Sequence, residues 1–234
     1  QEDIAPWLTD WRGRYIGKAR ALLSPANTEE VAEIVRIAAA EKIALVPQGG
    51  NSGMVAGATP DDSGDAVLLS LRRMNRIAGY DADTKTVHCE AGVILQNLHE
   101  YAGEHGRRFP LTLGGKGSAT VGGLVSTNAG GTQVLRHGTM RALIEGIEAV
   151  MPDGSIYDGL SPLKKDNRGY DLKQLLIGAE GTIGIVTGAI LRTEPALIDR
   201  CVVWAGIDSP ETAYSLLREM QAAAPEELEG FEII

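Results

Sequence analysis

The sequence predicts an α+β fold, and three observations carry that prediction. Apolar runs pair around a hairpin signal, with Leu143 to Met151 and Ser155 to Tyr157 flanking Pro152-Asp153-Gly154. A helix, a strand and a glycine turn follow one another over residues 28–53, but the turn runs on into Met54-Val55-Ala56-Gly57-Ala58-Thr59-Pro60. That is a poor start for the helix a doubly wound sheet would need there. The 29 glycines cluster near 49–57, 114–131 and 178–188, as loops wrapped around a ligand would have them.

Taken in order, residues 1–24 carry Trp7, Trp11 and Tyr15 among charges and read as an arm packed on a neighbour. Thr28-Glu29-Glu30 opens a helix, with Thr28 the expected N-cap and acidic residues where the dipole favours them. Val31, Ile34, Val35 and Ala38 form one apolar face at helical spacing. Ile43 to Val46 is a short buried strand that leads at once into Pro47-Gln48-Gly49-Gly50-Asn51-Ser52-Gly53. Ala66 to Leu71 and Thr86 to Ala91 read as strands, and Ile94, Leu98 and Tyr101 mark a helix ending near Gly106. After the hairpin come a short helix over Asp171 to Ile177 and a β-branched run from Gly181 to Thr193 that stops at Pro195. Cys201 to Ile207, a helical stretch over Glu211 to Ala222, and Gly230 to Ile234 read as the beginning of a second domain of β-α-β type.

The 234 residues suffice for one large domain or two modest ones with a real core. A formal net charge of −9 argues against nucleic acid as a main partner, since neutralising phosphates needs a basic surface. Cys89 and Cys201 have no ligand spacing, lie in apolar runs and read as buried thiols in a reducing compartment. No apolar run is long enough to span a bilayer. The chain starts at Gln1 and stops at Phe231-Glu232-Ile233-Ile234, which reads as a strand cut before any turn closes it, so a fragment is expected.

The stretch Pro110 to Gly131, PLTLGGKGSATVGGLVSTNAGG, reads as a loop that cannot fill a core. Its glycines let a ligand approach the backbone, and its main-chain N–H groups are free to point at an anion. Neither common nucleotide motif fits. A Walker loop needs Gly-Lys-Ser/Thr, but Gly115-Lys116 is followed by Gly117. A GxGxxG beginning at Gly115 would end on Thr120. A cradle for a phosphate-bearing ligand of another type is expected.

Four motifs in series carry a family resemblance: Pro47 to Gly53; Lys116 to Gly123 with Thr127-Asn128-Ala129-Gly130-Gly131; Lys165-Asp166-Asn167-Arg168-Gly169-Tyr170-Asp171-Leu172; and Gly178 to Thr187. Together they resemble the FAD-binding half of the vanillyl-alcohol-oxidase/PCMH flavoproteins. Within it they are most similar to the FAD-linked D-2-hydroxyacid dehydrogenases of D-2-hydroxyglutarate, D-lactate and glycolate-oxidase-subunit type. The resemblance implies an FAD-binding domain over 1–196, with sub-domains at about 25–92 and 93–195 and the flavin between them. Residues 197–234 would be the truncated start of a substrate-binding cap. It implies cofactor contacts from Pro47, Gln48, Gly49, Gly50, Asn51, Ser52, Gly53, Leu113, Gly114, Gly117, Ser118, Thr120, Gly122, Gly123, Thr127, Asn128, Gly130, Glu180, Ile185 and Val186. The first loop and the Lys116–Gly131 stretch would grip the pyrophosphate, and the backbone near Ile185-Val186 would meet adenine or ribose. Glu180 serves equally as a cap for the Gly181 turn, and Lys116 equally as a solvated loop lysine. Some relatives attach flavin through a His in the first glycine loop or a nearby Cys; Met54 and Ala119 stand around those loops here, so non-covalent FAD is implied.

The activity implied is oxidation of a D-2-hydroxy acid to the 2-oxo acid, with hydride passing to the flavin and electrons leaving to a quinone, cytochrome or electron-transfer flavoprotein. In that branch the base, the carboxylate-binding arginine and the metal ligands lie in the cap, so no catalytic residue and no metal ligand is expected in this chain. Alternatives are a non-catalytic FAD-binding subunit of a larger oxidase, or another enzyme on the fold such as a sugar-nucleotide reductase. A cytoplasmic location, extending to a peripheral place at the inner membrane, is expected, with a homodimer an open arrangement. His88, His99 and His105 read as ordinary core or surface residues. His137, in Arg136-His137-Gly138 where relatives carry a tyrosine, is placed near the flavin with its role open. Asp61-Asp62 and Glu226-Glu227 read as solvated faces.

Overall fold

The computed structural model describes residues 2–163 and 165–234, without the side chains of Glu2 and Asp3; Gln1, the start of the expected arm, lies outside them. The chain opens with a 3-10 turn, Glu2–Trp7, and the Asp10 carboxylate then accepts the N–H groups of Arg12, Arg14 and Tyr15. Leu8 and Ala19 are buried against Leu68, with Ile4, Trp7, Leu22 and Val46 packed beside them. The arm therefore packs on its own chain through Ile4, Trp7 and Leu8, while Trp11 and Tyr15 are left exposed.

Strand β1 (Ala21–Leu23), helix α1 (Thr28–Glu41), β2 (Leu45–Gln48) and β3 (Val67–Ser70) build the first layer. The three strands form a wholly parallel sheet in the order β1-β3-β2. Asn27, not Thr28, caps α1: its extended backbone lets the side chain accept the N–H of Glu30 at 2.8 Å, while the Glu30 carboxylate accepts the N–H of Ala26. Thr28 is the first helical residue, and its hydroxyl donates instead to Glu148. Val31, Ala32, Val35 and Ala38 are the buried face.

The second layer is a five-stranded antiparallel sheet in the order β4-β5-β9-β7-β8. Its strands are β4 (Ile77–Asp81), β5 (Thr86–Glu90), β7 (Ile144–Val150), β8 (Ile156–Gly159) and β9 (Ile185–Arg192). Between them run α2 (Leu95–Glu104), β6 (Arg107–Arg108), α3 (Val121–Ser126), α4 (Val134–His137) and α5 (Lys173–Leu176); β10 (Glu194–Pro195) pairs with β6, and α6 (Pro210–Ala223) follows. Alternate residues of the sheet, Val87, Cys89, Ile147, Ala149, Ala189 and Leu191, face inward. Leu95 and Leu98 of α2 and Val121, Leu124 and Val125 of α3 cover them. The expectation that the central glycine stretch contributes nothing to a core is overturned. Between its glycines Val121, Leu124 and Val125 fall at helical spacing and are buried.

The hairpin at Pro152-Asp153-Gly154 is present, with Val150 opposite Ile156 and Gly154 at φ +78°. Strand β4 carries few apolar residues in alternation, and sequence patterning missed it, as it missed the three-residue β1. Strand β5 and the residues of β4, which fall within the first sub-domain expected at about 25–92, are bonded into the larger sheet through β9. The segments 201–207 and 230–234, expected as strands, are not strands here, and none of the described strands pairs with them. Helix α6 forms with Ser209 as its cap, yet Ala213 is its one buried residue. Cys89 is buried as expected and Cys201 is exposed. No helix among the described residues is long and apolar enough to cross a membrane.

Two imidazoles titrate below their ordinary value. Burial holds His99 down, with its Nε2 2.9 Å from the Leu111 carbonyl, and burial likewise holds His137 down. A depressed imidazole means that the unfolded chain takes up protons first as pH falls. The stability contribution is therefore complete above the unfolded value of 6.5 and is lost as pH drops from there towards the folded values. The urea midpoint should be lower at pH 5.5 than at pH 7.5, and His99→Gln, whose amide still donates to Leu111, should narrow that difference; a midpoint flat over this interval contradicts the assignment. Asn27→Ala should cost about 1 kcal/mol of unfolding free energy through the lost cap, measured by the same denaturation.

Candidate functional site

The glycine-rich stretches, far apart in sequence, meet at the C-terminal end of β2 and the start of β9. A Cβ on Gly49 would overlap the Thr120 hydroxyl, and one on Gly50 would overlap the Ser118 carbonyl oxygen. A Cβ on Gly115 would touch Ser52 at 3.4 Å, one on Gly57 would lie 3.2 Å from the Glu180 carboxylate, and one on Gly181 would lie 2.6 Å from Pro47 Cγ. At Gly50 backbone thus lies on backbone, a spacing only glycine permits; the other contacts are to side chains.

The first loop leaves its donors free. Among the described residues no acceptor meets the main-chain N–H of Gly49, Gly50, Asn51, Ser52 or Gly53. Asn51 sits at φ +49°, a left-handed turn in the loop, and its side chain donates to the Thr9 carbonyl at 2.8 Å. Gln48 is buried and donates to the carbonyls of Trp7 and Ala58, so its amide braces the loop from behind. Its Oε1 has no partner among the described residues. Pro47 contributes only the ring packed under Gly181.

The central stretch divides into two kinds of residue. Thr120 caps α3, accepting the Gly123 N–H; Val121 and Gly122 donate to Val93 and Ala91; and Thr127 donates to the Gly123 carbonyl at 2.8 Å. Thr120, Gly122, Gly123 and Thr127 are therefore occupied in building the turn, and a Cβ on Gly122 would stand 2.7 Å from that of Ala91. Gly114, Gly117, Gly130 and Ser118 keep main-chain or side-chain polar atoms near the surface, and Leu113 packs against the core edge. A Cβ on Gly114 would meet nothing within 4 Å and one on Gly117 only Gln96, so packing does not require glycine at either. Asn128, at φ +47°, accepts the Arg141 N–H on its side-chain oxygen at 2.9 Å.

The third stretch is tied to the end of α3. Gly178 donates to the Val125 carbonyl, and Glu180, at φ +52°, donates to that of Ser126. The Glu180 side chain is exposed and reaches towards Gly57. Ile185 and Val186 bury their side chains in separate apolar clusters. Their backbone pairs with β7 alone, since the β5 ladder stops at Gly188. His137 faces Arg108 and Glu229, at the end of the stretch. Arg141 was missed by the sequence reading, and an isolated arginine before a strand carries no pattern that could have signalled it. The site predicts its own fragility. Gly50→Ala should destabilise the fold by about 1–3 kcal/mol, because the added Cβ can be housed only by moving the Ser118 backbone, and a denaturation midpoint unchanged from the parent would refute this contact.

The comparisons with known proteins agree with this geometry. The family described as "FAD binding domain" matches residues 19–159. The D-2-hydroxyglutarate–pyruvate transhydrogenase of Saccharomyces cerevisiae is 39% identical over 100% of this chain and 47% of its own length. The mitochondrial D-2-hydroxyglutarate dehydrogenase of Arabidopsis thaliana is 40% identical over 97% of this chain and 40% of its own length. The chain thus spans less than half the length of these relatives. An alkyldihydroxyacetonephosphate synthase has the same fold at a TM-score of 0.65 and 23% identity, covering 74% of this chain and 31% of its own. The expected cytoplasmic location is corrected by the mitochondrial placement of the plant relative. FAD fits the residues present, because its diphosphate needs several unpaired N–H donors on a backbone it can approach closely, and the Gly49–Gly53 loop offers free N–H groups with glycine at three of its five positions. The chain belongs to the FAD binding domain family, in the PCMH-type fold of the vanillyl-alcohol-oxidase flavoproteins.

Proposed function

We propose that the protein carries the FAD-binding part of an oxidoreductase that oxidises a D-2-hydroxy acid to the 2-oxo acid. The row of unpaired N–H groups from Gly49 to Gly53, laid against the Ser118 backbone, is the observation that carries the reading. The identity to D-2-hydroxyglutarate enzymes and the Lys165–Leu172 motif favour this substrate class over a sugar nucleotide. Bound FAD supplies the hydride acceptor.

The residues of this chain bind and orient. The first loop holds the diphosphate through N–H groups of Gly49, Gly50, Asn51, Ser52 and Gly53, with Ser52 adding a hydroxyl and Gln48 bracing from behind. Gly114, Gly117, Ser118 and Gly130 complete the wall, while Thr120, Gly122, Gly123 and Thr127 fix the α3 turn on which it rests. The open edge of β9 at Ile185-Val186 offers main-chain groups to adenine or ribose. Residues 1–196 make the FAD-binding domain with the flavin between its two layers, and residues 197–234 begin a substrate-facing part. No group in this chain is assigned as the base. The acid is D-2-hydroxyglutarate, D-lactate or the smaller glycolate, and the acceptor a quinone, cytochrome or electron-transfer flavoprotein.

An assay of the complete gene product against D- and L-2-hydroxy acids with an artificial dye acceptor tests this. D-2-hydroxyglutarate or D-lactate should reduce the dye, with the L-acids inert. NADPH-dependent reduction of a sugar nucleotide, or flavin binding with no turnover of any acid, would replace the reading with one of the two alternatives. The flavin should be held non-covalently, so acid precipitation should leave all yellow colour in the supernatant; colour in the pellet would contradict it.

A further inference from the structure

We propose that the N-terminal arm, residues 7–17, is part of the cofactor site: through Gln48 and Asn51 it fixes the conformation in which the first glycine loop offers its N–H groups. The proposal rests on the reading that this loop holds the FAD diphosphate. It concerns residues that precede the matched family domain, which starts at residue 19. Two side chains of the loop reach the arm directly. Asn51 Nδ2 donates to the Thr9 carbonyl at 2.8 Å, and Gln48 Nε2 donates to the Trp7 carbonyl at 3.0 Å. The arm then returns along the far end of the same segment. A Cβ on Gly17 would overlap the Pro60 carbonyl oxygen, and the Lys18 N–H donates to the Asp61 carbonyl at 2.8 Å. Residues 48–61 are therefore held at both ends by one stretch of chain.

The arm is itself fixed. Leu8, between the two acceptor carbonyls, is buried in a cluster with Ala19 and Leu68. The Arg72 guanidinium lies over the Trp7 ring, 4.7 Å from its centroid. Asp10 closes the turn that follows: Oδ1 accepts the N–H groups of Arg14 and Tyr15, each at 2.7 Å, and Oδ2 accepts that of Arg12 at 3.1 Å. The Asp10 N–H donates to the Tyr15 carbonyl at 3.0 Å, and Thr9 forms an antiparallel bridge with Ile16. The Thr9 carbonyl is thus set by a turn outside the loop. The loop needs such a hold. Among the described residues its N–H groups from Gly49 to Gly53 have no acceptor, so they do nothing to fix its shape. Asn51 keeps φ +49°, a conformation that asparagine visits but does not prefer, while its side chain is tethered to Thr9. A donor row fixed in advance by the arm's carbonyls binds its anion without first having to be ordered.

The test uses the flavin-stripped complete gene product, with FAD affinity read from flavin fluorescence and stability from urea unfolding. Asp10→Ala opens the turn behind Thr9 and should weaken FAD binding about fivefold, the effect of one positioning hydrogen bond. Asp10→Asn keeps an oxygen for Arg14 and Tyr15 and should recover most of the affinity. Asn51→Gly accepts the positive φ without the tether and should lose a similar factor. The double variant should lose no more than the worse single, because both changes cut one link; a loss equal to the product of the two would overturn the coupling. A lowered urea midpoint with unchanged FAD affinity in Asp10→Ala would reduce the arm to a structural support. Hydrogen exchange of the parent covers the case in which Asp10→Ala fails to fold. Adding FAD should slow exchange in peptides from residues 8–17 as well as from 48–53. Slowing at 48–53 alone would overturn the arm's part, and no slowing at 48–53 would sink the cradle reading instead.

Discussion

The approach of one main chain to another without a side chain between them is the constraint on which this structure depends. Gly50 lies on the Ser118 carbonyl, Gly122 on Ala91, and Gly131 on Thr112. Each contact removes the space a Cβ would need, and together they hold the first loop over the N-terminal end of α3. Helix α3 cannot itself offer donors to an anion. Its first N–H groups are consumed by Val93, Ala91 and Thr120. The burden of binding passes to the loop from Gly49 to Gly53, whose N–H groups the same packing leaves without acceptors. Rigidity in one segment and unsatisfied donors in the next are two consequences of one arrangement.

The two sheets are held in register by a shared apolar cluster and by one carboxylate. Val31 and Val35 of α1, Leu69 of β3, Leu71, Met74, Ala91, Val150 and Ile185 pack together between the layers. Beside them Glu148 accepts the hydroxyls of Thr28 and Thr187, each at 2.6 Å. One oxygen thereby ties the start of α1 to β7 and β9. The effect is positional. The C-terminal end of β2 is fixed opposite the start of β9, which brings the first and third glycine stretches within contact of each other. Because two hydroxyl donors satisfy the carboxylate, its partial burial is tolerated at low cost.

Residues beyond β10 behave differently. Leu197, Ile198, Val202, Val203, Trp204 and Tyr214 are exposed, and α6 buries only Ala213. What fastens this segment is Glu229, whose carboxylate is gripped by Arg108 and approached by Arg136 and His137. The guanidinium of Arg108 holds the Glu229 carboxyl below its usual range, and burial holds the neighbouring imidazole down. His137 is thus committed to an electrostatic anchor at the edge of the central stretch, a use that its position after a glycine run does not suggest.

The sequence by itself determined the elements whose signals are local. The Pro152-Asp153-Gly154 turn, the α1 face, helix α2 and the segment Pro210–Ala223 follow from spacing and turn chemistry, and the family follows from four glycine motifs in series. The α1 cap moved from Thr28 to Asn27 because two adjacent residues both suit the position, and a contact across the molecule, to Glu148, claimed the threonine. Tertiary structure alone decided which glycines carry free donors and which only admit close packing. Gly50 and Gly122 are alike in sequence, but one lies beside an unpaired N–H row and the other has its N–H bonded to Ala91. It also decided that α3 is core, that β4 and β5 join the larger sheet, and that Arg141 stands between Asn128 and Ile177. These depend on partners remote along the chain, and a local pattern carries no information about a contact whose other half lies elsewhere.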